Sequence, residues 1–322
     1  MTLRIGWVGF HLEGVAALEA LLQAQAPVAA VITLTPEAVA ARSAAADYDA
    51  LCRRYGAPLH RVANINDAAA ITLLTGLAVD VLFVIGWSQV LGPAALRTAR
   101  VGVVGAHASL LPKNRGSAPI NWALINGERR GGNSLIWLTE QVDAGAVIDQ
   151  TAFSITSFDT CATLYQRVAE SNRDMILRLL PRLQAGERPG QRQPPGHDAL
   201  LPRRKPADGL INWANANRSV YDFVRALTRP YPGAFSWLEA RRWRVWQAAL
   251  LPDLDGRDAP AMARPGQVLG PVISPIDAAC GQVVACGAGA VLLLELEMDS
   301  GEVLGGRQLA DQPWTGKVWT NA

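Results

Sequence analysis

Four continuous apolar runs of strand length constrain the fold of this chain more than any other feature. They are LRIGWVGF at Leu3–Phe10, VAAVITL at Val28–Leu34, DVLFVIG at Asp80–Gly86 and VGVVG at Val101–Gly105. None alternates polar with apolar residues, so each predicts a strand covered on both faces, the pattern of a parallel sheet between helices. A helix is expected from Gly14 to Gln25, with Val15, Leu18, Leu21 and Leu22 at helical spacing, and a shorter one from Pro93 to Thr98. Alternating β and α units of this kind imply an α/β fold.

The periodicity stops between Ala185 and Gly209, where AGERPGQRQPPGHDALLPRRKPADG fills with Pro, Gly, Arg and Gln and reads as a linker or a surface-wrapping segment. Beyond it, NWANANRSVYDFVRALTRP reads as a helix ending at Pro230. SWLEARRWRVWQAAL, the run from AAC to VVAC, and AVLLLELEM then follow at hairpin spacing. The expected organisation is therefore a domain over 1–185, a linker over 186–208 and a smaller β-rich, barrel-like domain over 209–322. A chain of 322 residues, half of them hydrophobic, is long enough for two such cores.

Charge and cysteine usage exclude several function classes. A net charge of +2 gives no general reason to bind nucleic acid. The four cysteines, Cys52, Cys161, Cys280 and Cys286, lack metal-ligand spacing and read as reduced thiols, and no metal site is expected. No secretory leader is apparent and no apolar run reaches the ~18 to 20 residues that span a bilayer, so a cytoplasmic protein without a membrane segment is expected. The Gly6-x-x-Gly9 turn lacks the full dinucleotide fingerprint, and its simplest reading is close packing.

The chemistry concentrates at HASLLPKNRGSAPINWALINGE, His107–Glu128, where a histidine closes an apolar run and opens a loop rich in Gly, Pro and Asn. The carboxyl end of a strand is where an α/β sheet displays its reactive groups. His11, His60 and His197 have no motif around them and read as surface or capping residues. Trp122 and Trp137 read as core, and Arg203, Arg204 and Lys205 as a solvated face.

Four segments together resemble one family. They are GWSQVL at Gly86–Leu91, HASLLPKNRGSAP at His107–Pro119, QVDAGAVI around Asp143, and RALTRPYPGAF at Arg225–Phe235. Their order and spacing are similar to those of the formyltransferases that use 10-formyltetrahydrofolate. The resemblance implies a Rossmann-like parallel-sheet domain followed by a smaller β-rich, OB-like one. It implies His107 and Asp143 as catalytic groups, and a folate-binding segment of Ile85, Gly86, Trp87, Ser88, Gln89, Val90, Leu91 and Val142. It also implies a substrate loop of Ser109, Leu110, Leu111, Pro112, Asn114 and Arg115, with Arg115 either facing the acceptor or pairing with a carboxylate under the loop.

Formyl transfer suits these residue types. An amine attacking a formyl carbon must lose a proton while the carbonyl oxygen becomes negative, so the site needs a proton acceptor and an oxyanion donor. Histidine, with an unperturbed pKa of about 6.5, accepts and returns protons at neutral pH, and a neighbouring aspartate orients it. The chain departs from the family at Gly105, where the transferases usually carry Asn. The family's hydrolase domain also lacks that Asn.

Within the family, SAPINWALINGE and TRPYPGAFSW look most like the amino-arabinose enzyme, which implies as acceptor a primary amine on a nucleotide-linked sugar. Transfer to methionyl-tRNA, hydrolysis of 10-formyltetrahydrofolate, and formylation of another small amine such as a siderophore precursor are the alternatives. A homodimer is compatible with all of them.

Overall fold

The computed structural model describes residues 3–40, 42–194, 199–251 and 263–321. It divides into two compact units. One comprises the described residues of Met1–Ile120, Arg129–Ile155 and Thr163–Arg203; the other comprises those of Asn121–Glu128, Thr156–Ala162 and Arg204–Ala322.

The first unit is built on seven strands: β1 (Ile5–Val8), β2 (Val28–Leu34), β3 (Leu59–Val62), β4 (Val81–Val84), β5 (Gly102–His107), β6 (Arg130–Trp137) and β7 (Val147–Ser154). Their order is β3-β2-β1-β4-β5-β6-β7. The strands from β3 to β5 pair in parallel, as the apolar runs require, whereas β6 and β7 join antiparallel. The fold is thus α/β, with a mostly parallel, Rossmann-like sheet.

Both faces of the sheet are covered. Trp7, Val31, Phe83 and Val104 pack on one face against Leu18 and Leu21 of the helix Val15–Gln23 and Met175 and Leu179 of the helix Cys161–Gln184. Val8, Ile32, Val84 and Val103 pack on the other against Ala70 and Leu74 of the helix Ala68–Gly76. The sheet order reverses between β1 and β4, and the carboxyl ends of strands at such a point open the crevice where α/β proteins bind ligands.

The expected strand boundaries shift at β5. The expected run ended at Gly105, but the strand continues through Ala106 to His107, because Ala106 and His107 pair with Leu135 and Ser134 of β6. The Gly6-x-x-Gly9 turn is closely packed: a Cβ on Gly9 would lie 2.7 Å from the Ile85 carbonyl oxygen.

The second unit carries β8 (Ala234–Leu238), β9 (Arg241–Leu250), β10 (Val268–Val272), β11 (Gly281–Ala285), β12 (Ala290–Met298) and β13 (Val303–Gly305). They pair antiparallel in the order β10-β11-β12-β9-β8, with β13 on β12. The terminal stretch bridges Thr320 to Trp237 of β8 and Val318 to Gln267 before β10, so both edges of the sheet are tied to the same segment. Trp243 of β9 packs edge-on to Trp314, which packs on Trp319, which in turn neighbours Trp213. Arg204 of this unit lies 4.9 Å over the Trp122 ring, and burial lowers its pKa, so it is not the fully solvated charge expected from sequence.

Candidate active site

His107 is the last residue of β5 and is 7% exposed. Strand alternation puts it on the same face as Gly105 and Val103, the face that packs with Trp87, Leu91 and Leu138. Its Nε2 lies 2.7 Å from the Asn114 carbonyl oxygen. A carbonyl only accepts, so Nε2 carries the hydrogen in this contact. Its Nδ1 lies 3.5 Å from Asp143 Oδ2. The ring therefore has an acceptor on each side and can hold a proton at either nitrogen.

Asp143 reaches this position from a left-handed backbone, φ 51°, and its Oδ2 accepts the Gly116 N–H at 2.9 Å. Two residues on, a Cβ on Gly145 would fall 1.6 Å from the Trp137 carbonyl oxygen, so the DxG turn admits no side chain there. The antiparallel register sets Trp137, where the β6–β7 turn begins, beside Val104 and sets Ser134 beside His107, so that turn folds back along β5 to bring Asp143 to a histidine 36 positions earlier in the sequence.

The 109–115 loop is fixed by β6 and β7. Ser109 Oγ donates to the Lys113 carbonyl at 2.7 Å. Ser134 Oγ donates to the Ser109 carbonyl at 2.6 Å and accepts the Leu111 N–H at 3.1 Å. Gln150 Nε2 donates to the Leu111 carbonyl at 3.0 Å. Ser109 and Leu111 are buried, while Leu110, Pro112, Asn114 and Arg115 are half-buried. Arg115 Nη2 donates to Gln193 Oε1 at 2.6 Å, so its observed partner is an amide rather than the carboxylate considered from sequence.

Gly105 has a specific neighbour. A Cβ there would meet Leu138 Cδ2 at 2.5 Å and Cγ at 2.9 Å. The space beside His107 that a side chain at 105 would enter is filled by this leucine, an apolar group with no hydrogen to offer an oxyanion.

The segment Ile85–Leu91 leaves the carboxyl end of β4 at the order reversal. Ile85 is buried, Gly86 and Trp87 are half-buried, and Ser88 and Val90 are exposed. The Trp87 ring lies edge-on to Phe10, and its buried Nε1 has no partner. The Gln89 side chain is engaged with the main chain, accepting the Ile65 N–H at 2.8 Å and donating to the Ala63 carbonyl at 2.8 Å. Val142 is half-buried and directly precedes Asp143.

A second histidine stands beside this segment. His11 is buried rather than surface-exposed, and its Nδ1 accepts the Glu13 N–H at 3.3 Å as a cap. Burial lowers its pKa to about 4 and raises that of Glu13 to about 7. His60 lies on β3, and His197 falls outside the described residues.

Sequence reasoning missed Leu138, Glu13 and Gln193. The last of these donates from Nε2 to the carbonyls of Asp143 and Gly145, at 2.8 and 2.7 Å. It sits in the segment read as a linker, without periodicity to mark it. Among the described residues no group of three His, Cys, Asp or Glu side chains is placed to hold a metal ion, and no helix is long and apolar enough to cross a membrane.

Comparison with known proteins follows the same division. Residues 11–180 match the family described as Formyl transferase, and residues 203–313 match its C-terminal domain. Among solved structures, HypX from Aquifex aeolicus in complex with tetrahydrofolic acid is 17% identical with a TM-score of 0.62, covering 95% of this chain. The chain spans only 46% of that protein's length. The N-formyltransferase from Helicobacter canadensis, in complex with folinic acid and dTDP-3-aminofucose, is 13% identical with a TM-score of 0.63, covering 90% of this chain and 98% of its own. Phosphoribosylglycinamide formyltransferase from Anaplasma phagocytophilum is 23% identical with a TM-score of 0.51, covering 64% of this chain and 100% of its own. With both of its domains matched in order, the chain belongs to the formyltransferase family.

Proposed function

We propose that this protein is an N-formyltransferase that moves a formyl group from 10-formyltetrahydrofolate to a primary amine, with a nucleotide-linked amino sugar as the acceptor class. The observation that carries the reading is the His107 ring, held between Asp143 Oδ2 and the Asn114 carbonyl at the end of β5. In this reading, residues 1–185 form the catalytic domain, 186–208 the connection and 209–322 the C-terminal domain.

Ile85–Leu91 and Val142 would hold the folate. The unpartnered, buried Nε1–H of Trp87 fits a heterocycle rich in acceptors. When bound, 10-formyltetrahydrofolate supplies an activated one-carbon carbonyl. His107 takes the proton that the attacking amine gives up and holds it at Nδ1, 3.5 Å from Asp143 Oδ2, which orients the ring. The loop Ser109–Pro112 with Asn114 and Arg115 faces the acceptor, and its bonds to Ser134 and Gln150 keep it ordered. The sugar nucleotide is supported by the Helicobacter canadensis relative, which matches over nearly its whole length and was solved with dTDP-3-aminofucose. The net charge of +2 and the stacking of Arg204 on Trp122 favour a small acceptor over tRNA.

Hydrolysis is the second reading, favoured by one observation: the Leu138 side chain stands where an oxyanion donor on residue 105 would be. The test is release of tetrahydrofolate from 10-formyltetrahydrofolate by the purified protein, with and without a panel of nucleotide-linked amino sugars, against H107A. Release that depends on an amino sugar, with a mass gain of one formyl group, supports transfer. Equal release without any amine supports hydrolysis, and no release in either case overturns both.

A further inference from the structure

We propose that Gln193 is a positioning residue for formyl transfer, one that holds Asp143 against His107 through the main chain; this rests on the roles proposed for that pair. The side-chain amide makes three hydrogen bonds and is 9% exposed. Its two N–H groups answer the two carbonyls of the DxG turn, Asp143 at 2.8 Å and Gly145 at 2.7 Å. Its oxygen accepts Arg115 Nη2 at 2.6 Å. A guanidinium only donates and carbonyls only accept, so the partners fix which way the amide points.

The circuit closes on the histidine. The residue before Arg115 supplies the carbonyl at His107 Nε2, and the residue after it supplies the N–H at Asp143 Oδ2. Gln193 therefore couples the loop that fixes one side of the imidazole to the turn that fixes the other. Asp143 sits at φ 51°, in the left-handed region that aspartate adopts more readily than most residues but that still costs more than the extended or helical regions. Without the two amide donors, the Asp143 and Gly145 carbonyls lose their shared partner, and the turn is free to carry the carboxylate away from His107.

Gln193 is delivered to this place by main-chain pairing upstream. Gln191 and Val147 exchange two hydrogen bonds, at 2.8 and 2.7 Å, and Trp137 Nε1 donates to the Pro189 carbonyl at 2.6 Å. Further along, Leu201 bonds to Arg115 and Ser117, at 2.7 and 2.9 Å. The segment that lost its periodicity in sequence thus ties down both loops of the site.

The test is a double-mutant cycle between Q193M and D143A, read as 10-formyltetrahydrofolate turnover by the full chain. Displacing a catalytic group by about 1 Å costs on the order of 100-fold, so Q193M is expected to lower kcat by about 10- to 100-fold while KM and the Kd for 5-formyltetrahydrofolate stay close to those of the unaltered protein. Q193E, which keeps the acceptor for Arg115 and removes the donors, is expected to match Q193M and replaces it if Q193M does not fold. In the D143A background neither change should lower kcat further, because the effect passes through Asp143.

Losses that simply add overturn the proposal, as does a Q193E enzyme with unaltered kcat. The imidazole 15N signals of His107, assigned against H107A, need no turnover. They are expected to move in Q193M, and their staying in place overturns the proposal even in a protein that releases no formyl group. Absence of formyl release from the unaltered protein is a failure of the transferase reading alone.

Discussion

His107 Nδ1 lies 3.5 Å from Asp143 Oδ2, and His11 Nδ1 lies 3.6 Å from Glu13 Oε2. By distance the two pairs are equivalent, and each stands near the carboxyl end of a strand of the same sheet. Their surroundings differ. Asp143 Oδ2 accepts a main-chain N–H, and the imidazole has a carbonyl at its other nitrogen, so a proton on the ring is matched on both sides. At His11, Nδ1 already accepts the Glu13 N–H, and burial disfavours charge on both partners, with pKa values of about 4 and about 7. Between those values the second pair is a neutral imidazole beside a neutral acid. Separation alone does not make a histidine and a carboxylate a catalytic pair; the groups bonded to each decide it.

The largest expected effect tests this contrast directly. H107A should lower formyl release by about 10²- to 10⁴-fold, the usual contribution of a positioned acid–base group. H11N, which keeps a polar cap at the neighbouring corner, should lower kcat far less. Turnover measured at saturating folate separates them, and an equal loss in both variants would remove the distinction. D143N keeps the shape of the carboxylate and removes its charge, and should cost on the order of 10²-fold in kcat.

Next in size is an effect on stability that belongs to the His11 corner. The folded state holds the Glu13 proton up to about pH 7, against 4.5 for a free carboxyl, so this contribution is complete below 4.5 and lost as pH rises to 7. His11 runs the other way: its folded value is depressed from 6.5 to about 4, so its contribution is complete above 6.5 and lost as pH falls to 4. E13Q removes the first titration only. Urea unfolding should show E13Q more stable than the unaltered protein by up to about 3 kcal/mol at pH 8 and equal to it at pH 4. A difference independent of pH would mean that Glu13 is not held neutral by burial.

The two corners were unequally legible in the sequence. The run Val28–Leu34 is a strand over its whole length because continuous burial leaves a pattern that local composition carries. The HASLLP and DAG motifs led to His107 and Asp143 through a family resemblance, and the structure brings those side chains within 3.5 Å. The antiparallel strands β6 and β7 were not foreseen. VIDQTAFS is an edge strand of mixed exposure, without the apolar run that marked the others. Gln193 and Leu138 were illegible for another reason: their roles come from contacts 48 or more residues and 33 residues away in the chain, respectively, which no local periodicity encodes. His11 was read as a surface or capping residue, and its burial depends on how β1 meets Gly86, again a tertiary fact.

The smallest effect separates the catalytic corner from the usual pattern of its family. Asparagine at 105 would place Cβ 2.5 Å from Leu138 Cδ2 and 2.9 Å from Cγ. The methyl can rotate away, but the branch carbon moves only if the leucine changes rotamer or the β6 end shifts. G105N alone should therefore destabilise the protein by about 1–2 kcal/mol through overpacking. In L138A that cost should vanish, and G105N/L138A should release more formyl group than L138A, because the amide then has room to donate to a developing oxyanion beside His107. Urea midpoints and kcat for the four proteins decide it. If G105N is as stable as the unaltered chain, Leu138 is no barrier and the glycine stands there for another reason. If the amide fits in G105N/L138A and kcat does not rise, a donor on residue 105 adds nothing to the reaction, and the His107 ring, whose nitrogens face the Asn114 carbonyl and Asp143, carries the site without it.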